Sequence, residues 1–132
     1  MKDKTIWIIT LFPDYFRPFL DFGVAGQALR GERKSGEYTH KVELVNLRDY
    51  SFDNYKSVDD SPFGGGPGMV MRADVLENAL LTGVVRASGK ELADFEVIYT
   101  SPRGKVWSNE VCRKFATDYL DTAVEKDIVF IC

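Results

Sequence analysis

At 132 residues, with 45% hydrophobic and 13% aromatic side chains, the chain fits one domain around one core, which excludes both a disordered segment and a small disulfide scaffold. A balance of 17 Lys and Arg against 20 Asp and Glu, net charge -3, excludes binding to nucleic acid through bulk charge and confines any such contact to a local patch. Two cysteines without paired spacing, Cys112 and Cys132, and a single histidine, His40, provide no zinc or two-histidine site, so no metal is expected.

The chain opens on Thr5-Ile6-Trp7-Ile8-Ile9-Thr10-Leu11-Phe12, β-branched and aromatic on both faces, as a central strand in a covered sheet should be. Thr10 interrupts the run and Pro13-Asp14 ends it, so it does not read as a secretory leader. Nothing approaches the roughly 20 apolar residues of a membrane helix. A cytoplasmic protein without membrane contact is expected. Pro13 and Asp14 suit a first helical turn, Tyr15, Phe16, Phe19 and Leu20 recur at helical spacing, and Gly23 opens a second helix through Leu29.

Lys41–Asn46 alternates as a strand with one side less buried, and from Leu47 to Gly68 periodicity is lost. A stretch of that length inside a compact domain points to function. Asp74–Leu81 resumes a helical stripe through Val75, Leu76, Ala79 and Leu80, ending near Gly83 or Ser88-Gly89. Phe95–Thr100 reads as a strand broken by Ser101-Pro102-Arg103-Gly104. Ser108 then caps a helix whose buried side is Val111, Phe115 and Tyr119, and Asp127–Cys132 is another buried strand. This order predicts an α/β domain, a mostly parallel sheet with helices on both faces. In such sheets ligands bind beyond the carboxyl ends of strands, so an apolar strand stopping at Cys132 suggests that the fold continues past it.

Two segments carry candidate chemistry. In Asp59-Asp60-Ser61-Pro62-Phe63-Gly64-Gly65-Gly66-Pro67-Gly68-Met69, the glycines permit close backbone approach to a ligand while the prolines restrict the loop. No Gly-Lys-Ser/Thr follows and no strand immediately precedes it, which excludes the two common phosphate-binding loops. The other segment is Tyr99-Thr100-Ser101-Pro102-Arg103-Gly104 at a strand's carboxyl end, where backbone groups can meet an adenine or ribose.

Together with Leu11–Phe16 and Asp21–Gly26, these segments resemble the bacterial tRNA (guanine-N1)-methyltransferases of the TrmD type over nearly the whole chain. The most specific element is Val58-Asp59-Asp60-x-Pro62-x-Gly64-Gly65-Gly66-Pro67-Gly68-Met69. The resemblance implies a homodimeric SPOUT enzyme with a trefoil knot, transferring a methyl group from S-adenosylmethionine to N1 of the guanosine immediately 3′ of the anticodon, tRNA position 37. It implies that Tyr99, Thr100, Ser101, Pro102 and Gly104 line the first wall of the donor pocket, Thr100 standing where the family commonly has Leu. Asp59, Asp60, Gly64, Gly65, Gly66, Pro67 and Gly68 would lie near the methyl group and the guanine. Phe52 and Tyr55 occupy a region where relatives often carry His, and Lys56 replaces an Arg.

The resemblance further implies that residues 1–132 form the first part of the methyltransferase domain. A Gly-Arg-Tyr-Glu-Gly motif, the knot, the main catalytic residues and a helical tRNA-binding domain would follow Cys132. The chain alone would then be inactive and would take the donor weakly or not at all. Asp59 is a candidate proton acceptor, and the catalytic residues are otherwise unassigned. Two rival readings stand beside this one: a non-catalytic α/β module binding a nucleotide or protein, and a structural piece associating through an open sheet edge.

Overall fold

A computed structural model describes residues 2–60, 70–121 and 123–132. Four strands, β1 (Lys2–Thr10), β2 (Tyr38–Asn46), β5 (Phe95–Tyr99) and β6 (Asp127–Ile131), form one sheet in the order β2-β1-β6-β5. Every pairing in it is parallel. The apolar opening run thus lies between two neighbours, as its two-faced hydrophobicity requires. β3 (Asp59–Asp60) and β4 (Val70–Met71) make a separate antiparallel ribbon. The α/β architecture is the one expected, with helices on both faces.

The first face carries the main core. Ile9, Val45, Val129 and Ile131 from the sheet meet Val75 and Ala79 of α3 (Ala73–Asn78) and Val84 of the π-helical turns Ala79–Arg86 that continue it. Gly83 faces the ring of Tyr50, where an added Cβ would come within 2.8 Å of the ring. Asn78 Nδ2 donates to the Tyr50 carbonyl at 2.9 Å. Helical structure runs on to Ser88, and Gly89, at φ +73°, ends it. One charge sits at the amino end of this face: Asp127, 3% exposed, accepts from the Thr5 amide at 3.0 Å and from Lys90 Nζ at 2.7 Å.

The stretch after β2 holds more order than its sequence suggests. Leu47–Tyr50 is a 3-10 turn capped by Asn46, whose side chain accepts from the Arg48 amide. Leu47 and Val58 are both buried in the first-face core. Two isolated anchors with no period between them leave no pattern to read.

On the second face lie α1 (Arg17–Asp21), α2 (Gly23–Leu29) and α4 (Asn109–Tyr119). Ser108 caps α4 as expected, accepting from the Val111 amide at 3.1 Å. The expected burial of its apolar side does not follow. No residue of α4 is buried, Val111 is exposed, and Phe115 and Tyr119 are only half-buried. The helix stands off Ile6, Ile98, Ile128 and Phe130 and leaves a hollow between itself and the sheet.

Near the amino ends of β1 and β2, His40 is buried beside Lys4 and stacked on Tyr119, ring centroids 5.8 Å apart. Burial, helped by the Lys4 charge, holds the imidazole below its ordinary 6.5. The unfolded chain therefore binds this proton more readily than the folded one. The His40 contribution to stability should be level above 6.5 and be lost as pH falls below it towards the depressed folded value. Urea midpoints at neutral pH and near pH 5 test this, with His40→Gln expected to flatten the slope; an unchanged slope would remove His40 as its source.

Candidate functional site

Four parallel strands place their carboxyl ends along one edge, where turns rather than further pairing must satisfy the backbone. β5 ends at Tyr99, and the Thr100 amide still reaches the Ile131 carbonyl at 3.1 Å, with its hydroxyl donating to the same oxygen at 3.3 Å. The chain then turns: the Gly104 amide donates to the Ser101 carbonyl at 3.2 Å and the Arg103 amide to Ser101 Oγ at 3.2 Å. These bonds fix the segment as a rim.

Beneath that rim lies the hollow under α4, with a volume of about 800 Å³. Tyr99, Thr100, Ser101, Pro102 and Gly104 all line it, so the residues that the resemblance groups are brought together in one place. Its floor is Ile6, Ile98, Ile128 and Phe130. The opposite side is aromatic. Trp107 and Phe115 tilt against each other at 5.4 Å, and Phe115 stacks on Tyr119 at 6.5 Å. Helical spacing assigns Phe115 and Tyr119 to a buried stripe and gives Trp107 no part. The signal available was an apolar pair, Val106-Trp107, immediately before a helix cap, and both residues are exposed here.

The second candidate segment is only partly within view. Asp59 is exposed on the ribbon opposite Met71, and Asp60 pairs with Val70. Gly64, Gly65, Gly66, Pro67 and Gly68 lie outside the described residues. Ahead of the ribbon, the Ser57 amide donates to the Asp53 carboxylate at 2.9 Å, and this bond holds the carboxyl below the usual range. Lys56, at φ +54°, takes the left-handed conformation that the turn from Asp53 imposes.

Two other features stand apart. A polar hollow of about 620 Å³ opens on the first face among Thr5, Trp7, Tyr50, Lys90 and Asp127. Around α1, Phe12, Tyr15, Phe19, Phe22 and Val24 are exposed, with Phe12 and Tyr15 stacked at 5.2 Å. Among the described residues no three His, Cys, Asp or Glu side chains gather as metal ligands, and no helix is long and apolar enough to cross a membrane.

The family described as tRNA (Guanine-1)-methyltransferase TrmD matches residues 4–132. Among curated proteins, one named tRNA (guanine-N(1)-)-methyltransferase from Vibrio atlanticus (strain LGP32) is 40% identical over 113 residues, which cover 86% of this chain and 42% of the relative. A protein of the same name from Pseudomonas paraeruginosa (strain DSM 24068 / PA7) is 38% identical over 118 residues, 88% of this chain and 43% of its own. Another from Haemophilus ducreyi (strain 35000HP / ATCC 700724) is 33% identical over 127 residues, 96% and 45% respectively. The chain thus spans less than half the length of these relatives. With the match running across nearly every residue, the chain belongs to the tRNA (guanine-1)-methyltransferase family TrmD.

Proposed function

We propose that the protein of which this chain is part methylates N1 of the guanosine 3′ of the anticodon in tRNA, with S-adenosylmethionine as the donor bound in the hollow beyond β5. The observation that carries this reading is that Tyr99, Thr100, Ser101, Pro102 and Gly104, which the resemblance implies as a donor wall, form the rim of that hollow. Its volume lies within the span of small-molecule sites. An apolar floor and an aromatic side suit a flat purine, and the turn's backbone and hydroxyl groups suit polar edges. When bound, the donor supplies a methyl group on a positively charged sulfur.

This chain's own residues have the work of binding and orientation. Ile98, Ile128 and Phe130 exclude water below the donor, and the Ser101–Gly104 turn fixes the rim against which it rests. Holding both reactants in register supplies much of the acceleration in a transfer of this kind. Proton acceptance from N1 falls to a carboxylate, for which Asp59 is a candidate by exposure and by its place beside the glycine loop. The remaining length found in relatives is proposed to supply the other donor wall, the knot and the tRNA-binding domain, and the enzyme is proposed to be cytoplasmic. The test is transfer of labelled methyl by the whole protein to tRNA carrying guanosine 3′ of the anticodon, with adenosine there as control. Label in the first only is expected, whereas label in neither or in both would contradict the reading.

A homodimer is proposed as well, because Phe12, Tyr15, Phe19, Phe22 and Val24 leave a large apolar surface unburied. Light scattering over a concentration series should show self-association that Phe19→Asp removes. Phe19 is 66% exposed, so the substitution should leave the melting temperature nearly unchanged. A wild-type chain that is monomeric throughout would refute the interface.

A further inference from the structure

α4 forms one side of the hollow yet has no buried residue, so the half-buried stack of Tyr119 on His40 and Phe115 is a weak hold by itself. The strongest attachment is at its C-terminal end. Lys4 of β1 is 3% exposed, and its ammonium donates to the carbonyls of Tyr119, Val124 at 3.3 Å and Lys126 at 3.2 Å. All three belong to the end of α4 or to the connection from it to β6. The ammonium also lies 4.1 Å from the Tyr119 ring centre and 4.7 Å from that of Tyr38. Among the described residues no carboxylate is ion-paired to it.

A buried cation held by carbonyls and ring faces is costly unless every donor is used. Here its partners share one location. A positive charge among the last carbonyls of a helix also complements the helix dipole. Removing the ammonium would take a charged donor from three carbonyls in a half-buried site, and what they would release is α4 rather than the sheet, whose strands are held by their own ladders.

We propose that Lys4 is a positioning residue for the hollow: it fastens the C-terminal end of α4 to β1 and so sets where Trp107 and Phe115 stand relative to Tyr99–Gly104. The clasp is about 115 positions distant in sequence from what it holds, Lys4 to Tyr119. That the side so placed serves a methyl donor rests on the function proposed above. The clasp itself does not, and it is tested without ligand.

The experiment is hydrogen exchange, read by mass spectrometry on the unliganded chain, comparing wild type with Lys4→Met. Amides of Val111–Tyr119 are expected to exchange about tenfold faster, while those of β1, β2 and β6 stay within about twofold, since opening is local. Unchanged exchange in α4, or one common factor across every element, would overturn the proposal. Should Lys4→Met not fold, Lys4→Gln is read against the same two outcomes, because it shortens the side chain and removes the charge while leaving the stack of Tyr119 on His40 and Phe115 intact. Failure of the donor reading would appear instead in the transfer assay, with the exchange result unaffected.

Discussion

Replacing Ile9 by alanine is expected to lower the stability of the chain by about 2–5 kcal/mol, the range for deleting a buried aliphatic side chain without collapse of the space it filled. Ile9 is 1% exposed on β1, one of the two interior strands, packed in the core formed by Val45, Val129 and Ile131 with the α3 side. Parallel strands on either side fix its backbone, so the surroundings have little freedom to close in. Domains of this kind have about 5–15 kcal/mol in total, so the loss is a large part of the whole. Urea denaturation measures it, and a cost below about 1 kcal/mol would show that the first-face core is loosely packed.

Gly26→Val should cost about 1–3 kcal/mol, as overpacking does where neighbours cannot give way. Gly26 is buried where α2 folds back on α1, and a Cβ there would stand 2.8 Å from the Phe19 carbonyl oxygen and 3.0 Å from that of Leu20. Both are backbone atoms, so relief requires moving α1 itself. The same movement would disturb the exposed surface of Phe19, Phe22 and Val24, and self-association should weaken along with stability. Denaturation and light scattering on one preparation check both effects. A variant as stable as wild type would mean that the corner between α1 and α2 is adaptable.

What the sequence reveals about this fold follows from where its signals are physical. Ile6, Ile8 and Ile9 announce a strand because both faces are apolar, and Ser108 announces a helix start because its hydroxyl has an amide to accept from. Val75, Leu76, Ala79 and Leu80 announce the helix on the first face, although not the π turns that let Gly83 pass under Tyr50. The turn at Tyr99–Gly104 was legible because Ser-Pro-Arg-Gly breaks a strand at its carboxyl end, whereas its reading as a donor wall comes from the resemblance and stays a proposal. The aromatic side of the hollow was not legible. Phe115 and Tyr119 have helical spacing that fits a buried stripe equally well, and only their distance from the sheet separates wall from core. Lys4 carried no signal, because a lysine near a chain end reads as solvated until its carbonyl partners are brought to it.

The most direct test of the central claim, that the hollow beyond β5 takes the methyl donor, is photolabelling of the whole protein with an azidoadenine analogue of S-adenosylmethionine, followed by sequencing of the labelled peptides. Label on Tyr99–Lys105 or on Trp107–Phe115, displaced by unmodified S-adenosylmethionine, is the result expected. Label confined to the polar hollow of Trp7, Tyr50 and Lys90, or competable label that spares both segments, would contradict it.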